Sequence, residues 1–207
     1  MWLGTAVRVI ATPAIRVLFR VREHGREHMP REGAAVVAGN HRSYMDPVIL
    51  WCVSPRFVHF MAKKDLFERG FVAWALPRLW AFPVDRSGAD RAALVQADAF
   101  LKAGELVGIF PEGARQTENG LGEARGGAAF VALRAMVPVV PVAVVGTEKV
   151  WPKGQKLPKL RRVTVVYGRP ISPEEFPEGS RKERVEALTN LIMGRISEEL
   201  ETAKKVH

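Results

Sequence analysis

Apolar runs and amphipathic stretches alternate along the chain from residue 35 onward. Six short apolar runs have the length of buried strands. They cover residues 35–38, 57–61, 80–84, 106–110, 139–145 and 163–167. Five further segments have helical length or spacing, and they cover residues 45–53, 66–79, 89–103, 127–136 and 181–204. Strands that alternate with helices predict an α/β fold, here a single-domain αβα sandwich with a mixed sheet.

The first 22 residues carry a different pattern. The segment is largely apolar from Trp2 to Val21, but Arg8, Arg16 and Arg20 interrupt it. At 100° per residue these arginines and two threonines share one arc of roughly 120°, and apolar side chains occupy the rest. This pattern predicts an interfacial amphipathic helix at residues 1–22, ahead of a domain at residues 23–207. A helix packed on its own domain has the same periodicity, so that alternative stays open.

The amino-acid composition excludes several classes of protein and kinds of site. The 207 residues are 47% hydrophobic and 26% charged, which is typical of one globular domain and excludes a disordered or polytopic membrane chain. The single cysteine, Cys52, excludes an internal disulfide and a cysteine-rich zinc site. We therefore expect neither a metal nor a cofactor.

The basic surplus is concentrated in two segments. The net charge is +9, and residues 1–30 supply five arginines against two glutamates, while residues 149–162 hold six basic residues and no acid. Such segments attract either nucleic acid or an anionic membrane surface, the latter by about 1 kcal/mol per basic residue near the surface. Trp151 lies within the second segment and favours the membrane, because tryptophan prefers the lipid interface.

The first candidate for chemistry follows the strand at 35–38. The segment NHRSYMD, residues 40–46, places His41 at the end of that strand and Asp46 five residues later, where the chain turns into a helix. A carboxylate that holds one imidazole nitrogen leaves the other free to take a proton, so this pair predicts a general base. The alternative is a surface histidine near an aspartate that caps a helix.

The second candidate follows the strand at 106–110. The segment FPEGAR, residues 110–115, brings Glu112, Gly113 and Arg115 into one tight turn. Gly113 lets the backbone approach a ligand and direct its N–H at a developing negative charge, and Arg115 suits phosphate oxygens. The alternative is a capped turn with a solvated arginine. A third strand, in AFPVDR, delivers Arg86 to the same region.

In this order the blocks resemble the glycerolipid acyltransferase family, over about residues 25–170. NHRSYMD is similar to the first family motif, AFPVDR to the second, FPEGAR to the third and VPVVPVAV, residues 137–144, to the fourth. MAKKDLF resembles a stretch that supplies a lysine, here Lys63, and ARGGAAF resembles one with lysine where Arg125 stands. The chain departs from the family at Ala114, where threonine is usual.

The resemblance implies an acyltransferase domain at residues 23–207. It implies transfer of a fatty acyl group from a thioester to the free hydroxyl of 1-acyl-sn-glycerol-3-phosphate, with His41 as general base and Asp46 as its support. Arg86, Arg115 and Lys63 would bind the acceptor phosphate. Glu112 would be functional too, either by holding the turn or by direct contact. The Gly113 N–H is our candidate donor to the oxyanion.

Several alternatives stay open at this point. The donor is acyl-CoA or acyl-carrier protein, and the acceptor is lysophosphatidic acid or another lysolipid. With the basic segments, these substrates predict a peripheral or monotopic enzyme on the cytoplasmic face of an anionic membrane. A nucleic-acid-binding α/β protein is the competing class, but the sequence lacks RNA-binding aromatic signatures and a phosphate-binding GxxxxGK[ST] loop. One set of apolar residues either lines an acyl tunnel or belongs to the core: Phe67, Phe71, Trp74, Leu79 and Trp80.

Overall fold

The computed structural model describes residues 2–68, 70–85, 90–116, 120–151, 155 and 157–207. Within these ranges seven strands form one sheet in the order β1-β7-β6-β2-β5-β3-β4. The strands are β1 (Arg22–His24), β2 (Ala35–Gly39), β3 (Val58–Lys63), β4 (Ala81–Val84), β5 (Leu106–Ile109), β6 (Val139–Val145) and β7 (Thr164–Tyr167).

The sheet is mixed, as predicted. The five strands from β6 to β4 run parallel, β7 pairs antiparallel with β6, and β1 pairs parallel with β7. Because parallel strands share one direction, the carboxyl ends of β2, β3, β5 and β6 all lie at the same edge of the sheet. This carboxyl edge is where the sequence places its candidate chemistry.

Helices cover both faces of the sheet and complete the αβα sandwich. They are α1 (Trp2–Leu18), α2 (Met45–Val53), α3 (Gly70–Arg78), α4 (Arg91–Lys102), α5 (Gly127–Ala135), α6 (Thr147–Val150) and α7 (Arg181–Val206). One core lies between the sheet and the α1–α2 side. The other lies under α4, α5 and α7, where the buried side chains of α7 include Leu188, Ile192 and Ile196. Both cores are dominated by the valine-rich strands, whose side chains are buried on both faces.

The predicted elements are present, with three differences. The predicted helix at 66–79 is a 3₁₀ turn at Lys64–Glu68 followed by α3, which begins at Gly70. The charged three-residue strand β1 and the four-residue helix α6 were not predicted. Both are too short, and β1 too polar, to produce a periodic apolar signal.

Helix α1 packs on the domain through its polar arc. Thr12 Oγ1 donates to the Cys52 carbonyl at 2.9 Å, and the Arg8 guanidinium donates to the Ser54 carbonyl, so this arc faces the carboxyl-terminal end of α2. The opposite side is apolar and open to solvent, with Ile10 74% and Val17 75% exposed. No helix in the described part of the chain is both long and apolar enough to cross a membrane. Periodicity identified the two arcs but could not tell which one faces the protein.

Gly108 in the strand β5 leaves room for the ring of Phe60 in the core. A Cβ at Gly108 would lie 2.2 Å from Phe60 Cε1, so Gly108→Ala must displace that ring. We expect Gly108→Ala to lower the free energy of unfolding by about 1–3 kcal/mol. The matched control is Gly194→Ala in α7, where nothing lies within 4 Å and alanine should raise stability by up to about 1 kcal/mol. Urea denaturation measures both, and equal effects would contradict the packing argument.

Candidate active site

The segment that follows β2 carries the candidate base. Asn40 directly follows the strand and forms two side-chain hydrogen bonds to β6: its Nδ2 donates to the Val144 carbonyl at 3.0 Å, and its Oδ1 accepts from the Val144 N–H at 2.7 Å. These bonds replace backbone pairing where the strand stops. The next residue, His41, is therefore fixed at the carboxyl edge and is 6% exposed.

Asp46 holds the His41 ring from the first turn of α2. His41 Nδ1 donates to Asp46 Oδ2 at 2.8 Å, and the same oxygen accepts the Arg42 and Ser43 backbone N–H groups, each at 2.7 Å. The second oxygen, Oδ1, accepts the Thr147 hydroxyl at 2.5 Å from the start of α6. A fully buried carboxylate with four donors has its orientation fixed from several directions.

This arrangement determines what the imidazole can do. Because Nδ1–H is held by a carboxylate, the neutral ring has its lone pair on Nε2, which can then accept a proton. The ring stacks on Phe110 with centroids 4.2 Å apart, which fixes its plane. Burial raises the pKa of the Cys52 thiol to about 11, so that residue is not an activated nucleophile. The predicted His41–Asp46 pair is thus formed in a geometry suited to a general base.

Glu112 clamps two loops together. Its Oε1 accepts the His41 backbone N–H at 2.8 Å, and its Oε2 accepts the Gly122 N–H at 2.9 Å. The side chain is buried, and burial raises the pKa of this carboxyl, while the hydrogen bonds from His41 and Gly122 oppose that shift. Both oxygens are already occupied by backbone donors. Of the two roles left open for Glu112, this geometry favours holding the turn.

Gly113 differs from the prediction. Its N–H donates to the Phe110 carbonyl at 2.9 Å and closes the turn, so it is not free to stabilise an oxyanion in this conformation. The residue has φ 66°, in the left-handed region that glycine tolerates. A Cβ there would lie 2.9 Å from Arg125 Cδ and 3.1 Å from Arg125 Nε. The glycine therefore gives Arg125 room to lie across the turn.

Of the three predicted phosphate ligands, Arg115, Lys63 and Arg86, the structure describes the first two, and their surroundings differ. Arg115 is half-buried, and its guanidinium carbon lies 3.4 Å from the centroid of the Tyr44 ring. Lys63 ends β3 at the same carboxyl edge but forms an exposed ion pair with Asp65. Arg86 lies outside the described residues. Among the described cationic side chains, Arg115 lies in the FPEGAR turn and Arg125 lies across it.

An apolar cavity of about 660 Å³ opens beside that turn. Phe110, Gly113 and Arg125 form its wall next to the site, and its remaining lining comes mainly from the α4, α5 and α7 side, with Ala93, Leu94, Phe130 and Val185 among the residues. The five apolar residues considered for an acyl tunnel do not line it. Leu79 and Trp80 pack against the core, as the core alternative predicts, whereas Phe71 is 76% exposed and belongs neither to the core nor to this cavity.

Three site residues escaped the sequence analysis or received no role in it. Thr147 lies 101 residues from Asp46, and Asn40 binds a strand 104 residues away, so no local pattern connects them. Arg125 was noticed only through a family segment. Its position over a glycine in the left-handed conformation requires the tertiary structure.

The region that contains these motifs is similar to proteins of known function. Residues 20–145 match the family model described as "Acyltransferase". The 1-acyl-sn-glycerol-3-phosphate acyltransferase of Bacillus subtilis (strain 168) is 32% identical over 179 residues, which cover 86% of this chain and 87% of that protein. The enzyme of the same name from Streptococcus pneumoniae is 28% identical over 187 residues, 89% of this chain and 67% of that one. The crystal structure of the 1-acyl-sn-glycerophosphate (LPA) acyltransferase PlsC from Thermotoga maritima superposes with a TM-score of 0.72 at 25% identity, covering 95% of this chain and 82% of that chain.

Proposed function

Because the chain belongs to the acyltransferase family, we propose that it transfers a fatty acyl group from a thioester to the free hydroxyl of 1-acyl-sn-glycerol-3-phosphate. The family membership confirms the resemblance found in the motifs and the prediction of an O-acyltransferase. The acceptor is inferred from the names of the relatives. The single observation that carries the proposal is the His41–Asp46 pair at the edge where a cavity and two arginines meet.

The proposed reaction needs one base and no acyl-enzyme. His41 Nε2 takes the proton of the acceptor hydroxyl while its oxygen attacks the thioester carbonyl carbon. Asp46 stabilises the imidazolium that forms. The tetrahedral intermediate then breaks its carbon–sulfur bond, and the imidazolium returns its proton to the thiolate that leaves. The products are the acylated acceptor and a free thiol, and His41 ends the cycle neutral.

Arg125 is the better candidate for the developing oxyanion than the Gly113 N–H. That N–H is engaged within the turn, whereas the Arg125 guanidinium lies over the same glycine and lines the cavity. A preorganised cation beside the carbonyl stabilises negative charge as it forms. Arg115, with Lys63 and Arg86 as further predicted ligands, then serves the acceptor phosphate.

The apolar cavity suits the acyl chain of the donor. Its volume of about 660 Å³ lies within the range of small-molecule sites, and its lining is mostly hydrophobic. Phe110 stacks on His41 and also lines the cavity, so a chain held there ends beside the base. The thioester carbonyl would lie next to Arg125.

An acceptor panel with the purified protein tests this function. We expect turnover with 1-acyl-sn-glycerol-3-phosphate and at least tenfold less with 1-acylglycerol or with lysophosphatidylcholine, each measured with acyl-CoA and with acyl-carrier protein. Arg115→Ala should raise the KM of the acceptor roughly tenfold or more, because a charge-assisted contact contributes about 1.5–3 kcal/mol. The KM of the donor should stay within twofold. Equal turnover of all lysolipids would contradict the acceptor, and a rise confined to the KM of the donor would contradict the role of Arg115.

Helix α1 supports docking on a membrane surface, where such an acceptor resides. The outer face of the helix presents Val9, Ile10 and Val17 to solvent at 69%, 74% and 75% exposure, a pattern suited to the acyl boundary of a bilayer. Arg8 and Thr12 of its polar arc hydrogen-bond to the domain, so the helix stays attached while its apolar side contacts lipid. We place the enzyme at the cytoplasmic face, where thioester donors are available.

Acidic substitutions on the outer face of α1 should weaken membrane binding without affecting the acyl-transfer reaction itself. We expect Ile10→Asp with Val17→Asp to reduce binding to vesicles, measured by flotation, at least tenfold, and to reduce turnover on vesicles in parallel. Turnover of a short-chain acceptor in detergent should remain within twofold of the wild type. The control is Val95→Asp, a valine of α4 that is 50% exposed on the opposite face of the sandwich. Equal losses on both acceptors would show that α1 serves the stability of the domain instead.

A further inference from the structure

A cleft of about 400 Å³ lies between α1 and the carboxyl-terminal end of α2. Three arginines line it, Arg8 and Arg16 from α1 and Arg26 from the turn after β1, together with the hydroxyl-bearing side chains of Thr5 and Thr12. None of these residues belongs to the acyltransferase motifs. The cleft thus gathers cationic and hydrogen-bonding groups that the proposed reaction does not use.

The positive charge of this arginine cleft is only partly balanced. Glu23 pairs with Arg16 and lies 3.7 Å from Arg26 Nε, and no other carboxylate in the described part of the chain pairs with the three arginines. Arg16 Nε is buried and has no hydrogen-bond partner among the described residues. Burial lowers the pKa of Arg8, and the nearby charges of Arg26 and Arg16 lower it further. An anion in the cleft would relieve this repulsion and accept the unused N–H groups.

The cleft opens next to the apolar outer face of α1. Val9 and Pro13 line the cleft, and Val9 also belongs to the exposed stripe that includes Ile10 and Val17. A ligand that fits both features has an anionic group joined to an apolar body. A phospholipid has this construction, because its phosphate is attached to acyl chains.

The position excludes the reacting acceptor as the occupant. Cys52 lines the cleft, and it lies six residues beyond Asp46 on α2, which is about 9 Å along the helix axis. The cleft lies at the carboxyl-terminal end of α2, whereas Asp46, which holds His41, lies in its first turn. A lipid bound there would be a second, unreacted molecule.

We infer that the arginine cleft binds the phosphate group of an anionic glycerophospholipid of the bilayer, whose acyl chains lie along the outer face of α1. This inference rests on the membrane docking proposed above and gives it a defined headgroup site. The bound lipid would hold α1 in its inward-facing orientation, because the same phosphate contacts arginines of the helix and of the domain.

Calorimetry with dihexanoyl-phosphatidylglycerol, kept below its aggregation concentration, tests the site on the full chain. We expect one lipid per protein, with binding weakened about tenfold or more by Arg26→Gln. Arg31→Gln, an exposed arginine five residues further on, removes the same charge and should change binding less than twofold. Arg26→Lys keeps the charge but loses the planar fork, so it should bind several-fold more weakly than the wild type even if Arg26→Gln folds poorly.

Further ligands and variants in the same experiment test which part of the lipid is bound and at which site. Dihexanoylglycerol, which lacks phosphate, should not bind, and inorganic phosphate should bind far more weakly than the lipid. Arg115→Gln should bind the lipid as the wild type does, and Arg26→Gln should retain transfer activity in detergent. The inference is overturned if Arg26→Gln and Arg31→Gln bind equally, if phosphate alone binds as well as the lipid, or if Arg115→Gln abolishes binding. Absence of acyl transfer would contradict the proposed function without affecting this binding measurement.

Discussion

Replacing His41 with alanine is expected to lower kcat by 10²- to 10⁴-fold, the range typical for loss of a general base. The side chain is buried at the carboxyl edge, and its removal leaves the Asn40 bonds to Val144 and the bond from the residue 41 backbone to Glu112 intact. The fold and the KM of the acceptor should therefore change little. Steady-state kinetics and a thermal-unfolding curve measure the two effects separately.

A second histidine provides the matched control for this experiment. His24 is exposed on β1, and His24→Ala should leave kcat within twofold of the wild type. Asp46→Asn should fall in the same range as His41→Ala, because the amide no longer holds the required tautomer or stabilises the imidazolium. A folded His41→Ala variant with more than half of the wild-type turnover would refute the proposed base.

Changing Glu112 to glutamine should reduce kcat about 100-fold without a comparable rise in the KM of the acceptor. Its two oxygens accept backbone N–H groups of His41 and Gly122, so an amide in its place opposes one of these donors with an NH₂ group. An unpaired buried donor costs about 1–3 kcal/mol, and displacement of a catalytic group by about 1 Å can cost 100-fold in rate. Kinetics and urea denaturation should therefore both respond.

A nearby acid distinguishes this positioning role from a general charge effect. Glu123 is exposed, and Glu123→Gln should leave both kcat and stability unchanged. Glu112→Ala, which removes both acceptors, should be less stable than Glu112→Gln. A Glu112→Gln variant with normal kcat and a raised KM for the acceptor would instead make Glu112 a direct ligand.

The sequence was sufficient for the layers of the fold because burial imposes strong patterns. The strands from β2 to β7 are short, mainly apolar runs, and α7 begins at a capping box in which Ser180 accepts the Glu183 N–H. The orientation of α1 was not predictable, because its inward face is held by hydrogen bonds from Arg8 and Thr12 to carbonyls about 40 residues or more away. An arc of arginines alone is equally compatible with water, lipid headgroups or a protein surface.

The candidate site likewise has features that the sequence predicted and features that it did not. His41 and Asp46 are joined within a single turn, so their spacing predicted their hydrogen bond. The state of the Gly113 N–H was not predictable, because a tight turn either exposes this group or closes on it, as it does here with the Phe110 carbonyl. Residue type and spacing identify which groups are present. The direction of each donor depends on the backbone conformation and on contacts from distant segments.

Helix α7 covers the central strands of one sheet face, yet it follows every strand in chain order. During synthesis the apolar residues beneath Leu188, Ile192 and Ile196 remain uncovered until this helix has left the ribosome. The parallel sheet also depends on contacts between distant segments, which slows folding. The part of this sheet face beneath α7 therefore stays uncovered after α4 and α5 have been made, and chaperone binding should concentrate on that part.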